Sequence, residues 1–369
     1  MTNTDIVQTW IDLVAYSHSN SKSTAYQYKH NLAQFCEFMG KTPEQIKMEY
    51  QKSKDERHLR RMYAEGLRDF IAKLSREGFA HNTINSIIMP VKSFFKYNDL
   101  GLAFIPIARS KVMFHNRDIT REEVRQILGA SKPRDKAFFC MMAQTGLRPD
   151  TLCKLQLRDI EPDYSKGIIP CKVEVPEEKA KGQYRAYFTF MGEESIKYLK
   201  AYLNGERPGI AADDFLFTAY GLKKAASPKT MSIMFATTIR QLMKSNALQY
   251  RRSPKGKPSE LRLYTLRKFF RKYARDAGFE IVQFWMGHIV KMGVDENYRP
   301  DDPEHHRALY KDKAMDHLRL ETPAIDETGK IVAQQNKRIE VLESELNLLK
   351  KFMRGEELTD EELRSIEVV

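Results

Sequence analysis

"GIIPCKVEVPEEKAKGQYRAYFTF", residues 167–190, is where the hydrophobic period of the chain changes. Val, Ile, Tyr, Phe and Thr alternate on either side of a Lys/Gly segment, the pattern of two half-buried strands joined into a β-hairpin. On both sides of it the period is helical. "STAYQYKHNLAQFCEFMG" places Ala25, Tyr28, Leu32, Phe35, Cys36 and Met39 on one stripe and stops at Gly40, a C-cap. "LRRMYAEGLRDFIAKLSREG" is a second amphipathic run. "HNTINSIIMPVKSFFKYN" stripes Ile84, Ile87, Ile88, Val91 and Phe95, with a kink expected at Pro90. Past the hairpin, helices resume at "EESIKYLKAYL" and continue to about Leu320. The expected class is mainly α with one small β-hairpin.

The segment "GLAFIPIARSKVMFHNRD" has no clear period and contains Pro106, so it reads as a linker. A capping box, Thr120 with Glu123, opens the next helix, and the apolar "AFFCMMAQTG" reads as buried. The expected plan is a helical domain at 1–106, a linker at 107–117, a second domain at 118–320 and a tail at 321–369. In the tail Val332, Gln335, Ile339, Leu342, Leu346, Leu349 and Met353 fall on heptad positions, which suits a short coiled coil or a docked amphipathic helix.

At 369 residues, two domains plus an appendage are expected. Sixty-one Lys and Arg against 49 Asp and Glu leave a net charge of +12, which favours a polyanionic partner such as nucleic acid. Of the four cysteines none forms a CxxC pair; Cys36, Cys140 and Cys153 sit in apolar helical patterns, as small buried hydrophobes do in a reducing compartment. The first residues lack a signal-peptide pattern, and the longest apolar run, "AFFCMMA", is too short to span a bilayer. A protein of a reducing cytosol with no membrane contact is expected. Adjacent His305 and His306 point to different helix faces and read as surface residues, so no metal or other cofactor is expected.

Charged residues stand at element ends: Arg148 in "AQTGLRPDTLCKL", Lys181 in "EEKAKGQYR" and Arg267 in "LYTLRKFFRKYARDAG". In "WMGHIVKMGVDENYRP", residues 285–300, His288 and Tyr298 lie ten apart, and Tyr298 has almost nothing apolar beside it. Singly, each reads as a solvated or packing side chain. Tyr310 is different: with Ala314 and Leu318 it forms an i, i+4, i+8 stripe that suits core packing.

In this order the boxes "TGLRPDTLCKLQLRDI", "YTLRKFF", "AGFEIVQFWMGH" and "NYRP" resemble those of the tyrosine recombinase (phage integrase) family, most closely its archaeal-type members, over residues 5 to 320. The resemblance implies a helical DNA-clamping domain and a mainly helical catalytic domain, together gripping double-stranded DNA as a tetramer on two sites. It implies Tyr298 as nucleophile, Arg148 and Arg267 as a phosphate clamp and His288 as a hydrogen-bonding or assisting group. Lys181 is the implied general acid, with Lys179 the alternative, and Lys179, Arg185 and Lys268 are implied DNA contacts.

Two positions depart from the family pattern. Tyr264 stands three residues before the second arginine, where the family usually has histidine. Thr151 stands where a glutamate often holds the first arginine, and Asp150 is the neighbouring acid placed to substitute. The chemistry asks for such residues independently. Cleaving a phosphodiester without metal or ATP needs a covalent nucleophile, forked cations for the charged phosphoryl oxygens and an acid for the leaving oxygen. The implied activity is site-specific recombination for an integrating virus or plasmid. The alternatives are a type IB topoisomerase-like enzyme and a catalytically silent DNA-binding protein on the same fold.

Overall fold

The computed structural model describes residues 5–109, 117–180, 185–219, 224–249, 260–288 and 302–321. The expectations placed on Lys181, Tyr298, the 110–116 part of the linker and the tail heptads lie outside the described residues. The fold is mainly helical, with one two-stranded antiparallel sheet among the described residues.

Five helices come first: α1 (Ile6–Ser17), α2 (Lys22–Met39), α3 (Pro43–Lys52), α4 (Glu56–Arg76) and α5 (His81–Tyr97). Their starts are set by local oxygens that satisfy free N–H groups. Asp5 accepts from Val7 N and Gln8 N, Thr42 and Gln45 form a capping box, and Asp55 accepts from His58 N. α2 stops at Gly40, whose φ of +65° is the left-handed cap expected there. The apolar stripes meet in one cluster around Trp10, Phe35, Tyr63, Leu67, Val91 and Phe95.

α5 runs through Pro90 without a break. A proline inside a helix withholds the N–H that would reach the carbonyl four residues back, here that of Ser86. Asn31 Nδ2 on α2 donates to Ser86 O at 3.2 Å instead. The backbone acceptor is thus satisfied from a neighbouring helix, and the helix continues past the proline.

A second cluster holds the rest of the described chain. α6 (Arg121–Gly129) starts at the Thr120–Glu123 capping box, as its sequence indicates. α7 (Pro133–Thr145) is its centre, buried on every face from Ala137 to Thr145. A helix that is apolar all round belongs inside. α8 (Pro149–Lys154), a 3-10 turn at Leu157–Ile160 and α9 (Asp163–Lys166) lead into the hairpin, β1 (Cys171–Val175) and β2 (Tyr187–Met191), with Cys171 opposite Met191 and Val175 opposite Tyr187. Cys171, Val173 and Val175 face inward while Lys172 and Glu174 face out, the period of two that its sequence shows. All four cysteines are free and buried. α10 (Glu193–Glu206), α11 (Pro228–Lys244), α12 (Tyr264–Tyr273), α13 (Phe279–Trp285) and α14 (Pro303–Tyr310) follow, then a π-helical turn at Lys311–Met315 and α15 (Asp316–Leu318). No described helix is long and apolar enough to cross a membrane.

The last described segment is fastened to α7 and α10. Tyr310, Ala314 and Leu318 are all buried, the stripe their spacing predicts, and Tyr310 Oη donates to Gln144 O at 2.8 Å. The buried Glu194 carboxylate accepts from Gln144 Nε2 at 2.7 Å, Leu320 N at 2.9 Å and Glu321 N at 2.5 Å. Glu321 in turn receives Lys197 Nζ at 2.8 Å and Tyr198 Oη at 2.6 Å.

One surface expectation is overturned. His305 is exposed, but His306 is buried, its ring set against Phe188 and Phe284, and its Nδ1 accepts from Trp285 Nε1 at 3.1 Å. Adjacency does send the two rings to different faces; one of those faces is the core.

Tyr310→Phe removes a single buried hydrogen bond and should cost about 1 kcal/mol. Tyr310→Ala opens a cavity in the core and should cost about 3–5 kcal/mol. Urea denaturation of the two variants would show the difference, and equal costs would mean that the ring contributes little.

Candidate active site

Two glycines in left-handed conformation bring the site together. Gly146 ends α7 with φ +65°, and a Cβ on it would come 2.2 Å from the Phe270 ring. Its tight turn sets Arg148 at the head of α8, with Pro149 in the first helical position. Gly287 ends α13 with φ +62°. His288 N donates to Gln283 O at 3.0 Å and Gly287 N to Phe284 O at 2.8 Å, the paired bonds of a Schellman cap. The cap turns the Met286 and Gly287 carbonyls and the His288 ring toward the arginines.

Arg148 Nη1 donates to Gly287 O at 2.9 Å and reaches Met286 O at 3.4 Å. Arg267, from the core face of α12, is only 1% exposed. It donates to Gly146 O and, through Nη2, to Met286 O at 2.8 Å and to His288 Nε2 at 2.7 Å. On its far side, the His288 ring donates from Nδ1 to Gln283 Oε1. Arg148, Arg267 and His288, far apart in sequence, therefore form one cluster.

Among the described residues neither guanidinium has a carboxylate partner; their acceptors are backbone carbonyls and an imidazole. Burial, together with the Arg148 charge, lowers the Arg267 pKa to about 10. Burial and the charges of Arg267, Arg148 and Arg271 lower His288 to about 4, so its ring is neutral at physiological pH. Two forked cations without counter-acids form a site that an oxyanion would complete.

The other anticipated residues fall differently. Tyr264, at the start of α12, is 46% exposed, and the Arg267 guanidinium lies 6.0 Å from its ring centroid. It flanks the cluster from the solvent side. Arg185 and Lys268 are exposed, Arg185 just before β2 and Lys268 on α12.

Lys179 contradicts its expectation. It is 6% exposed and its Nζ is held by Asp159 Oδ2 at 2.6 Å, Asp159 Oδ1 at 2.8 Å and Gln156 Oε1 at 2.7 Å. An ammonium engaged by a buried carboxylate is not presented to DNA in this structure. Asp150 is not the partner of Arg148 either, because it pairs with Lys154 at 2.7 Å. Thr151 and Tyr187 are buried, and the Tyr187 hydroxyl faces Thr151 and Arg148, the Arg148 charge working against the rise in its pKa that burial causes.

Gln283 and Tyr187 belong to the site although the sequence did not point to them. Gln283 reads as an ordinary polar position on a short helix. Tyr187 reads as the first aromatic residue of a strand, yet its ring fills the space beside Gly287, where a Cβ would come 2.4 Å from its Cζ.

A buried Arg267 and a half-buried Arg148 beside a neutral histidine, on a mainly helical fold with one hairpin among the described residues, form a site suited to an oxyanion. Residues 117–305 match the Phage integrase family, and the chain belongs to that family. It is similar to the tyrosine recombinase XerA of Thermococcus onnurineus (strain NA1), 32% identical over 104 residues, which are 27% of this chain and 36% of that protein. It is also similar to a tyrosine recombinase of Thermosipho africanus (strain TCF52B), 27% identical over 236 residues, 61% of this chain and 74% of that one. The chain thus spans about a third of the first relative and three quarters of the second. In fold it is similar to the Tn1549 transposon integrase solved with transposon right end DNA, with a TM-score of 0.54 and 16% identity over 83% of this chain and 98% of that one.

Gly287→Ala forces a side chain into left-handed backbone and against the Tyr187 ring. It should destabilise the fold by about 1–3 kcal/mol in urea denaturation. The His288 ring has its own pH signature. Its unfolded pKa is near 6.5 and its folded one about 4, so between those values the unfolded chain binds the extra proton. Stability should therefore fall as pH drops from about 6.5 toward about 4. His288→Gln should flatten that part of a stability-against-pH curve, and an unaltered slope would mean that the folded ring titrates normally.

Proposed function

We propose that the chain is a site-specific DNA recombinase that cuts and rejoins DNA through a covalent 3′-phosphotyrosine. The supporting observation is the convergence of Arg148, Arg267 and His288 on one site with no acid paired to either arginine among the described residues. Tyr298 Oη attacks the scissile phosphorus as its proton leaves, forming the phosphotyrosine bond. The bond to the 5′-oxygen breaks, and Lys181 protonates that oxygen. The arginines stabilise the charge that builds on the nonbridging oxygens. In the reverse sense, a 5′-hydroxyl from a second strand attacks the phosphotyrosine and releases Tyr298. The reaction conserves phosphodiester energy, so it needs neither metal nor ATP.

The division into a DNA-clamping domain at 1–106, a linker at 107–117, a catalytic domain at 118–320 and a tail at 321–369 belongs to this reading. So do double-stranded DNA as substrate, action as a tetramer, a prokaryotic cytoplasmic setting and integration or excision of a mobile element. The net charge of +12 supports the substrate. A lambda integrase structurally similar to this chain is solved as a tetramer bound to a Holliday junction, with a TM-score of 0.53 and 15% identity, which supports the assembly.

Incubation with a nicked suicide duplex should give a covalent protein–DNA adduct on an SDS gel, and Tyr298→Phe should abolish it while still binding the site. Arg267→Lys keeps the charge but loses the fork, and should slow cleavage by about 10²–10³-fold. Lys181→Ala should slow cleavage of ordinary DNA, and a 5′-bridging phosphorothiolate, whose sulfur leaves unprotonated, should restore the rate. A wild-type chain that binds DNA without forming an adduct would be a silent binder. One that relaxes supercoils as a monomer without exchanging strands would be a topoisomerase.

A further inference from the structure

We propose that Gln283 is a positioning residue that holds His288 as its neutral Nδ1–H tautomer, leaving Nε2 as the proton acceptor of the site. The proposal deepens the recombinase reading and rests on it for the role of Nε2, but the tautomer itself stands on the geometry alone.

The assignment follows from what each neighbour is able to do. A guanidinium only donates. With Arg267 Nη2 at 2.7 Å, His288 Nε2 must therefore accept. An imidazole that accepts at one nitrogen must carry its proton at the other, or it would be an anion. Nδ1 is thus an N–H, and the Gln283 atom facing it must be the carbonyl oxygen and not the amide nitrogen. The Arg267 contact reveals the tautomer, the tautomer reveals which end of the amide faces the ring, and Gln283 Oε1 is the acceptor that keeps the proton on Nδ1.

Gln283 grips His288 twice. Its side-chain oxygen takes the ring proton while its backbone oxygen takes the His288 N–H at 3.0 Å, as the cap that ends α13. Gln283 is itself 7% exposed, so its amide is not free to swing into solvent. A backbone cap and a ring contact from one residue fix both the place and the rotation of the imidazole.

The charged groups around the ring are Arg267 and Arg271 from α12 and Arg148 from the head of α8. All three are cations, and Gln283 adds a neutral acceptor where a carboxylate would have favoured imidazolium. In this structure the Nε2 lone pair is engaged by Arg267. A phosphate that draws the guanidinium to its own oxygens frees that lone pair, and Nε2 is then available to take the proton of an attacking hydroxyl.

The test is nitrogen NMR on the full chain with labelled imidazoles; His288→Ala identifies the one ring among nine histidines. The wild-type ring at pH 7 is expected to be protonated at Nδ1 only. Gln283→Met, which lacks the acceptor, should lose the single tautomer. Gln283→Glu should raise the titration midpoint of the ring from about 4 toward neutrality, and give single-turnover cleavage an acid-side fall that wild type lacks, with site affinity unchanged. A wild-type ring protonated at Nε2 or at both nitrogens, or a Gln283→Met ring identical to wild type, overturns the proposal. A correct tautomer in a chain that forms no adduct would defeat the recombinase reading and leave the Gln283 assignment standing.

Discussion

A buried guanidinium must be satisfied, and among the described residues Arg267 is satisfied without an acid. Its donors go to two backbone carbonyls and one imidazole, each presented by a helix end that a glycine has turned into place. Carbonyl oxygens can hold an arginine, but they do not cancel its charge. A buried cation held only in this way is costly unless a ligand completes it. The two left-handed glycines divide the work, Gly146 giving its carbonyl to Arg267 and Gly287 giving its own to Arg148. The same cost keeps the nearest histidine neutral, since a third cation on the ring would add repulsion to a site that already carries two.

The second consequence is mechanical. α7 supplies Gly146 and the Gln144 carbonyl. The same helix thus sets the first arginine box and receives the Tyr310 hydroxyl. The hairpin shares this role, with Tyr187 beside Gly287 and Phe188 against His306. The site and the core are built from the same few elements, so changes that loosen α7 should be felt at the arginines.

Much of this arrangement was legible in the sequence. The hairpin announced itself by its period of two, and the Tyr310 stripe by its period of four. What was not legible depended on distant partners. Lys179 looked like a loop cation until Asp159, 20 residues away, came to lie beneath it. The Ser86 carbonyl that Pro90 leaves without a helical donor is served by Asn31 on another helix, 55 residues away. His306 looked exposed because adjacency says which way side chains diverge but not where the core lies. Gln283 gave no signal, since a glutamine on a short helix is ordinary until the ring it holds is known.

The Glu194 clamp has a further meaning for how its segment tolerates change. Its donors at residues 320 and 321 are main-chain N–H groups on one buried carboxylate. Side-chain substitutions at Leu320 or Glu321 therefore leave those hydrogen bonds in place, whereas a change at Glu194 removes them together and strands two backbone donors at once.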